Sequence, residues 1–185
     1  MTEIGTRIQV IGSSCTGKST LGARLSERLE IPFVELDALN WLPNWVALTV
    51  TDPPRFEQRV REATQGDAWV VAGSYRGPCQ RVFWDRLQTI IWLDLPLHIL
   101  VRRVLVRSWT RWRTQELLWG TNTERFWVQL KVWDPEESLL AYILRQYWRK
   151  RRVLEGCMSD PRWSHIQFIR LRSVDEINEF VTAGN

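Results

Sequence analysis

Residues 12–19 read Gly12, Ser13, Ser14, Cys15, Thr16, Gly17, Lys18, Ser19 and fill every fixed position of the pattern G-x-x-x-x-G-K-[ST]. That spacing constrains the backbone first. Glycines and small side chains let successive N–H groups curl around one point. The chain must then enter a helix whose positive end faces the same point. The flanks agree with this demand. Residues 7–11 (RIQVI) form a β-rich run that ends at Gly12, and Leu21, Leu25 and Leu29 recur at helical spacing after Lys18. A strand, a tight loop and a helix in that order make a cradle for phosphate, whereas an ordinary glycine-rich turn needs neither flank. In such a cradle Lys18 reaches the β and γ oxygens of a nucleoside triphosphate and Ser19 offers a hydroxyl to Mg²⁺. Thr20 adds a further hydroxyl at the start of the helix.

The rest of the chain alternates short apolar runs with helical stripes. Residues 33–36, 68–72, 89–93 and 166–171 read as further strands. Between them lie helices with recognisable starts. Asp52-Pro53 pairs an N-cap with a first-turn proline, and Phe56, Val60 and Ala63 then share a face. Leu97, Leu100, Val101, Val104 and Leu105 make another stripe. Asp134-Pro135-Glu136-Glu137 predicts the start of a helix carrying Leu139, Leu140, Ile143, Leu144 and Tyr147, and Ser173 to Glu176 caps a last one. This alternation predicts an α/β protein with a three-layer P-loop NTPase fold and a five-stranded parallel sheet. Ligands of such sheets bind beyond the carboxyl ends of the strands. Gly12, Asp37, Gly73 and Asp94 all fall at or just past such ends. The expected division is a single domain: a core of about 1–37, 66–107 and 134–185, an acceptor-binding helical insertion of about 38–65, and a lid of about 108–133.

Composition bounds the setting. At 185 residues and 44% hydrophobic, the chain is long enough for one sizeable core. No signal peptide and no run of roughly 18 apolar residues is visible, so the expectation is a soluble, cytoplasmic protein without a membrane partner. Three scattered cysteines (Cys15, Cys79, Cys157) suggest neither zinc nor a disulfide framework. The net charge of +4 comes almost wholly from arginine, the lysines being Lys18, Lys131 and Lys150. Arginine's planar fork suits phosphate, although arginine-rich codon usage would give the same composition. Most of the twelve tryptophans are expected in the core or between helices.

A phosphate loop alone does not choose a reaction. None of the three lysines follows an asparagine, so the N-K-x-D motif of GTP-specific switches is absent. With residues 73–76 and 94–107 in view, the chain resembles the nucleoside monophosphate kinase group of P-loop proteins. Within that group it is similar to the adenylate-kinase-like family of DNA topology modulation proteins. Residues 36–45 resemble that family's L-D-x-x-x-W-x-P-x-W, and Trp119, Gly120, Asn122 and Glu124 resemble W-x-G-N-x-E with a one-residue offset. Adenylate kinases carry Asp-Gly-Phe-Pro-Arg after the third strand. Gly73 and Arg76 match that run, whereas Ala72, Ser74 and Tyr75 depart from it.

The resemblance implies roles. Arg76 would hold the acceptor's phosphate. Arg103 and Arg107 match two arginines of the kinase lid helix; four apart, they share one face and would stabilise charge on the moving phosphoryl group. Asp37 would be an acceptor anchor, a metal-shell group or a base, although a turn carboxylate fits the position equally. Trp41 and Trp45 would stack on a ring, or simply pack their own loop. Arg59 on the insertion would face the acceptor, and Arg111, Arg113 and Arg125 would be movable lid charges. Arg145 and Arg149 would reach phosphate or belong to a solvated basic face. The function so implied is ATP-dependent phosphoryl transfer to a small acceptor, with ATP and Mg²⁺, by a monomer or homodimer. Two other readings stay open: a nucleic-acid-associated ATP-binding protein, and a nucleotide-binding regulator without efficient chemistry.

Overall fold

The computed structural model describes residues 4–115, 117, 118, 122, 126–131, 133, 134 and 138–182. Strand β1 (Arg7–Gly12) runs into the phosphate loop, and helix α1 (Lys18–Leu29) leaves it. Helix α1 buries Leu21, Gly22 and Leu25 and stops where Glu30 turns left-handed, two residues before Pro32. Strand β2 (Phe33–Glu35) leads into a short helix α2 (Leu36–Asn40). A hairpin of β3 (Trp41–Leu42) and β4 (Val46–Ala47) follows, then α3 (Leu48–Thr51) and α4 (Pro53–Ala63). The Asp52 carboxylate accepts the Arg55 N–H at 3.1 Å and caps α4, while Phe56 and Val60 are its buried face. Next come β5 (Trp69–Ala72), α5 (Arg76–Val82), β6 (Thr89–Leu93) and the long α6 (Leu97–Thr114). The chain closes with α7 (Leu139–Met158), β7 (Gln167–Leu171) and α8 (Val174–Thr182).

All five expected core strands are present and parallel, in the order β2, β5, β1, β6, β7. The central strands are apolar on both faces because helices cover both. On β1, Ile8 and Val10 meet Leu21 and Leu25 of α1 and Ile177 and Phe180 of α8. Ile11 joins the opposite layer with Trp69, Val71, Trp92, Phe56 of α4 and Cys79 of α5. A third cluster, Leu100, Val104, Leu140, Ile143 and Tyr147, joins α6 to α7. No described helix is long and apolar enough to cross a membrane.

Three features depart from the sequence reading. First, α7 begins at Leu139, where Ser138 Oγ accepts the Ala141 N–H at 3.2 Å; it does not begin at Asp134. Pro135, Glu136 and Glu137 of the expected capping box lie outside the described residues. By contrast, Ser173 does cap α8, accepting the Glu176 N–H at 3.0 Å. Second, α6 continues past Arg107 to Thr114, through a stretch without a clean apolar period. Its outer turns bury little, so sequence periodicity had little to register. Third, among the described residues only Trp69, Trp84 and Trp92 are buried tryptophans, whereas Trp45, Trp109, Trp127, Trp133 and Trp148 are exposed. Two of these join an aromatic cluster instead: Trp109, Trp112, Phe126 and Trp127 meet in tilted and edge-to-face pairs with ring centroids 5.1–6.5 Å apart.

Candidate active site

The phosphate loop is closed by its own atoms. Ser13 carbonyl accepts from Lys18 Nζ and from Thr16 Oγ1, each at 2.9 Å. Left-handed backbone at Cys15 (φ 64°) and Gly17 (φ 98°) curls the segment between them. Gly12, at φ 152°, admits no side chain: a β-carbon there would lie 2.7 Å from the Leu93 carbonyl oxygen and 2.9 Å from Thr16 Oγ1. Withdrawal from solvent pushes the Lys18 ammonium pKa down to about 8, against the pull of Asp37, and Lys150 and Arg107 push it the same way as burial. A concave loop holding a lysine in this condition is ready for anionic charge.

The described residues bring most of the expected site into one open cleft of about 2150 Å³, room for a nucleotide and a small acceptor together. Gly12, Ser14, Cys15, Gly17, Lys18, Ser19 and Thr20 line it. So do Asp37, Trp41, Trp45, Arg103, Arg107 and Arg111. Thr16 is buried beneath the loop, and Ser13 lines an adjoining cavity of about 200 Å³. Arg103 Nη1 donates to the Thr16 carbonyl at 3.0 Å and to the Cys15 carbonyl at 3.4 Å, so α6 is bound directly to the loop. Arg107 Nε is buried and has no hydrogen-bond partner.

Two groups in the cleft carry no motif signal. Ser19 Oγ donates to Glu35 Oε1 at 2.5 Å, which sets a carboxylate beside the hydroxyl expected to meet Mg²⁺. Glu35 and Asp37 flank the buried Leu36 at the end of β2, and both line the cleft. The signal for Glu35 was its place two residues before Asp37, at a strand end. Hydroxyl and carboxylate oxygens are the hard donors that Mg²⁺ takes, so Ser19, Glu35 and Asp37 fit that ion. The second group is Tyr75, whose hydroxyl donates to Asp37 Oδ1 at 2.6 Å.

Other candidates lie elsewhere. Arg59 Nη1 donates to the Leu39 carbonyl at 2.8 Å, which ties α4 to α2 instead of lining the cleft. Arg76 is exposed, bonds to Gln80 Oε1 at 3.3 Å and lines the adjoining cavity together with Arg149 and Lys150. Asp94 is buried and takes Arg151 Nη2 at 2.9 Å and Arg170 Nη2 at 2.7 Å, with the Arg170 guanidinium 4.1 Å above the Trp92 ring. That ion pair network ties α7 and β7 to β6. Trp41 and Trp45 meet edge-to-face at 5.5 Å at the hairpin. Arg145 Nη2 donates to the Trp133 carbonyl at 3.2 Å, and Arg113 is exposed away from the cleft. Trp119, Gly120, Glu124 and Arg125 lie outside the described residues.

No protein-family model matches this chain. Among curated proteins it is similar to the uncharacterized protein YqaC of Bacillus subtilis (strain 168), 27% identical over 122 residues, or 64% of this chain and 65% of that protein. Among solved structures it is similar to a gluconokinase from Sinorhizobium meliloti 1021 (TM-score 0.55, 19% identity, 98% of this chain and 90% of that one). A shikimate kinase from Bacteroides thetaiotaomicron gives TM-score 0.54 at 19% identity, over 96% of this chain and 95% of that one. A shikimate kinase from Acinetobacter baumannii in complex with shikimate gives 0.50 at 17%, over 95% and 88%. At these identities the likeness is one of architecture, and together with the strand order it establishes that this chain has the P-loop kinase α/β/α fold.

Proposed function

We propose that this protein is an ATP-dependent phosphotransferase that moves the γ-phosphoryl group of Mg-ATP to a small acceptor beside Asp37. The observation that carries the reading is one cleft lined by the phosphate loop, the Glu35–Asp37 strand end and the arginine face of α6. The loop and Lys18 hold the donor's phosphates. Ser19, with Glu35 and Asp37, would hold Mg²⁺, which would supply positive charge to offset the charge developing on the phosphate groups. Arg107 brings an unpartnered buried donor, and Arg103 a guanidinium already anchored at the loop. Placed there, they meet the charge that spreads over the equatorial oxygens during transfer. Asp37 orients the acceptor hydroxyl. As the acceptor oxygen bonds to the γ-phosphorus, the bond to the β-phosphate oxygen breaks, and the hydroxyl proton passes to the Asp37 carboxylate.

The names of the solved kinases with this fold fit a small hydroxylated acceptor, and the adenylate-kinase-like resemblance fits a nucleoside monophosphate. ATP turnover measured against a panel of monophosphates, sugars and hydroxy acids should rise with one of them, and Lys18→Ala should lower that turnover by about 100-fold or more. Tight MgATP binding with no stimulation by any acceptor overturns the transfer reading in favour of a nucleotide-binding regulator. An association with nucleic acid is the second reading. It draws on the outer face of α7, where Arg145, Trp148, Arg149 and Arg152 are all exposed. DNA binding that weakens with salt yet survives Lys18→Ala would favour it.

A further inference from the structure

Ser74 and Tyr75 follow β5 at the place where the chain departs from the adenylate kinase run. The Ser74 hydroxyl donates to the Gly12 carbonyl at 2.7 Å and accepts the Gly12 N–H at 3.1 Å. One side chain thus satisfies both backbone groups of the first loop residue. The need for it is topological. Strand β1 stays in register with β6 as far as Gly12 and Leu93, but its pairing with β5 ends at Val10 and Ala72. Beyond that point the ladder on the β5 side is lost, and the serine replaces it.

Tyr75 extends the other way. Its hydroxyl holds Asp37 Oδ1, and its ring lies against Phe56 with centroids 5.1 Å apart. Burial and the Asp37 charge push the phenol's pKa far above its ordinary range, so it remains a donor. The turn itself is rigid from below. Gln9 Nε2 donates to the Gly73 carbonyl at 3.0 Å, and Trp84 Nε1 donates to Gln9 Oε1 at 2.9 Å. Gly73, at φ 146°, sits so close to Leu36 that a β-carbon would lie 2.7 Å from the Leu36 Cβ.

We propose that Ser74 and Tyr75 act as paired positioning residues: the serine sets the phosphate loop, the tyrosine sets Asp37, and the peptide joining them carries a displacement of one to the other. The role given to Asp37 rests on the phosphotransferase reading, whereas the serine half and the coupling are tested by binding alone. Calorimetric titration with MgADP should show Ser74→Ala weakened about tenfold and Ser74→Thr, which keeps the hydroxyl, near the wild-type affinity. In proton NMR the Tyr75 hydroxyl resonance, identified by its loss in Tyr75→Phe, should shift when MgADP saturates the wild type. It should shift far less in saturated Ser74→Ala. In MgATP turnover Tyr75→Phe should lower kcat about tenfold, a larger change than any in KM for MgATP. Wild-type affinity in Ser74→Ala, or a hydroxyl shift that persists in that variant, overturns the proposal. So does a Tyr75→Phe variant whose kcat is unchanged while wild-type turnover is measurable. A wild type that binds MgADP and shows the Tyr75 shift but never turns over would instead sink the kinase reading and leave the coupling standing.

Discussion

The phosphate loop and the β3–β4 hairpin both line the cleft, and they are held in opposite ways. The loop closes on itself: Lys18 and Thr16 reach a carbonyl five and three residues away. The hairpin has two residues in each strand, too few for independent stability. It is held by Asn122, whose side chain accepts the Trp45 N–H at 2.9 Å and donates to the Leu42 carbonyl at 3.2 Å. Asn122 is buried and is itself bridged to Leu118 by two backbone bonds. The phosphate-loop side of the cleft therefore takes its curl from bonds within one short segment, with Arg103 and Ser74 bracing it from outside. The hairpin side is assembled from residues 77 and 80 apart in sequence, so the hairpin and the Leu118–Asn122 bridge are fastened together.

Four measurements test that contrast. The largest effect is expected at Gly12→Ala. The new β-carbon has backbone, not a flexible side chain, 2.7 Å away, so the loop must deform. MgADP affinity should fall by about 100-fold or more while the fold persists, as read by calorimetry and circular dichroism. An unchanged affinity would mean that the loop is not preset. Next, Arg107→Ala should lower kcat for phosphoryl transfer by roughly 100-fold or more, with a smaller change in MgADP affinity. Equal losses in both would place Arg107 in ground-state binding instead.

Asn122→Ala removes the side chain that bonds both the Trp45 N–H and the Leu42 carbonyl. The expected cost is about 1–3 kcal/mol. Hydrogen exchange should quicken at Trp45 and not in the phosphate loop. Equal loosening of both would break the contrast. The smallest effect is protonic. With a pKa of about 8 in the folded protein against 10.5 ordinarily, Lys18 binds fewer protons folded than unfolded between those values. Burying the ammonium thus costs stability below that window, and the cost is relieved as pH rises through it. Bound phosphate favours the ammonium, so MgADP binding near pH 8.5 should take up a fraction of a proton. Calorimetry in buffers of different ionisation heat reads that number, and no uptake would show that the ammonium is not desolvated.

Much of this was legible in the residues alone. The five strands were, because both faces of each central strand are buried and the runs are continuously apolar. The caps at Asp52 and Ser173 were, because capping depends on residues three apart. The α7 start was not: residues 134–137 read as a capping box, whereas the helix starts at Leu139 with Ser138 as its cap. Arg59 read as a ligand residue because its helix, part of the insertion, was expected to cover the acceptor; its guanidinium donates to a carbonyl of α2. Glu35 was missed because its one signal, a place two residues before Asp37 at a strand end, matches no motif.

The sequence by itself determined the phosphate loop, the order of strands and helices, and the arginine pair on α6, since each rests on neighbours within one turn or one strand. Only the tertiary structure decided that Glu35 meets Ser19, that Ser74 and Tyr75 join Gly12 to Asp37, and that Asn122 clasps the hairpin. The reason is physical. Those bonds join residues 16 to 77 apart in sequence, and their partners are chosen by which segments the fold brings together around the cleft. No local periodicity records that choice. The glycine and lysine pattern predicts that phosphate is held; the rim geometry sets which side chains stand across from it.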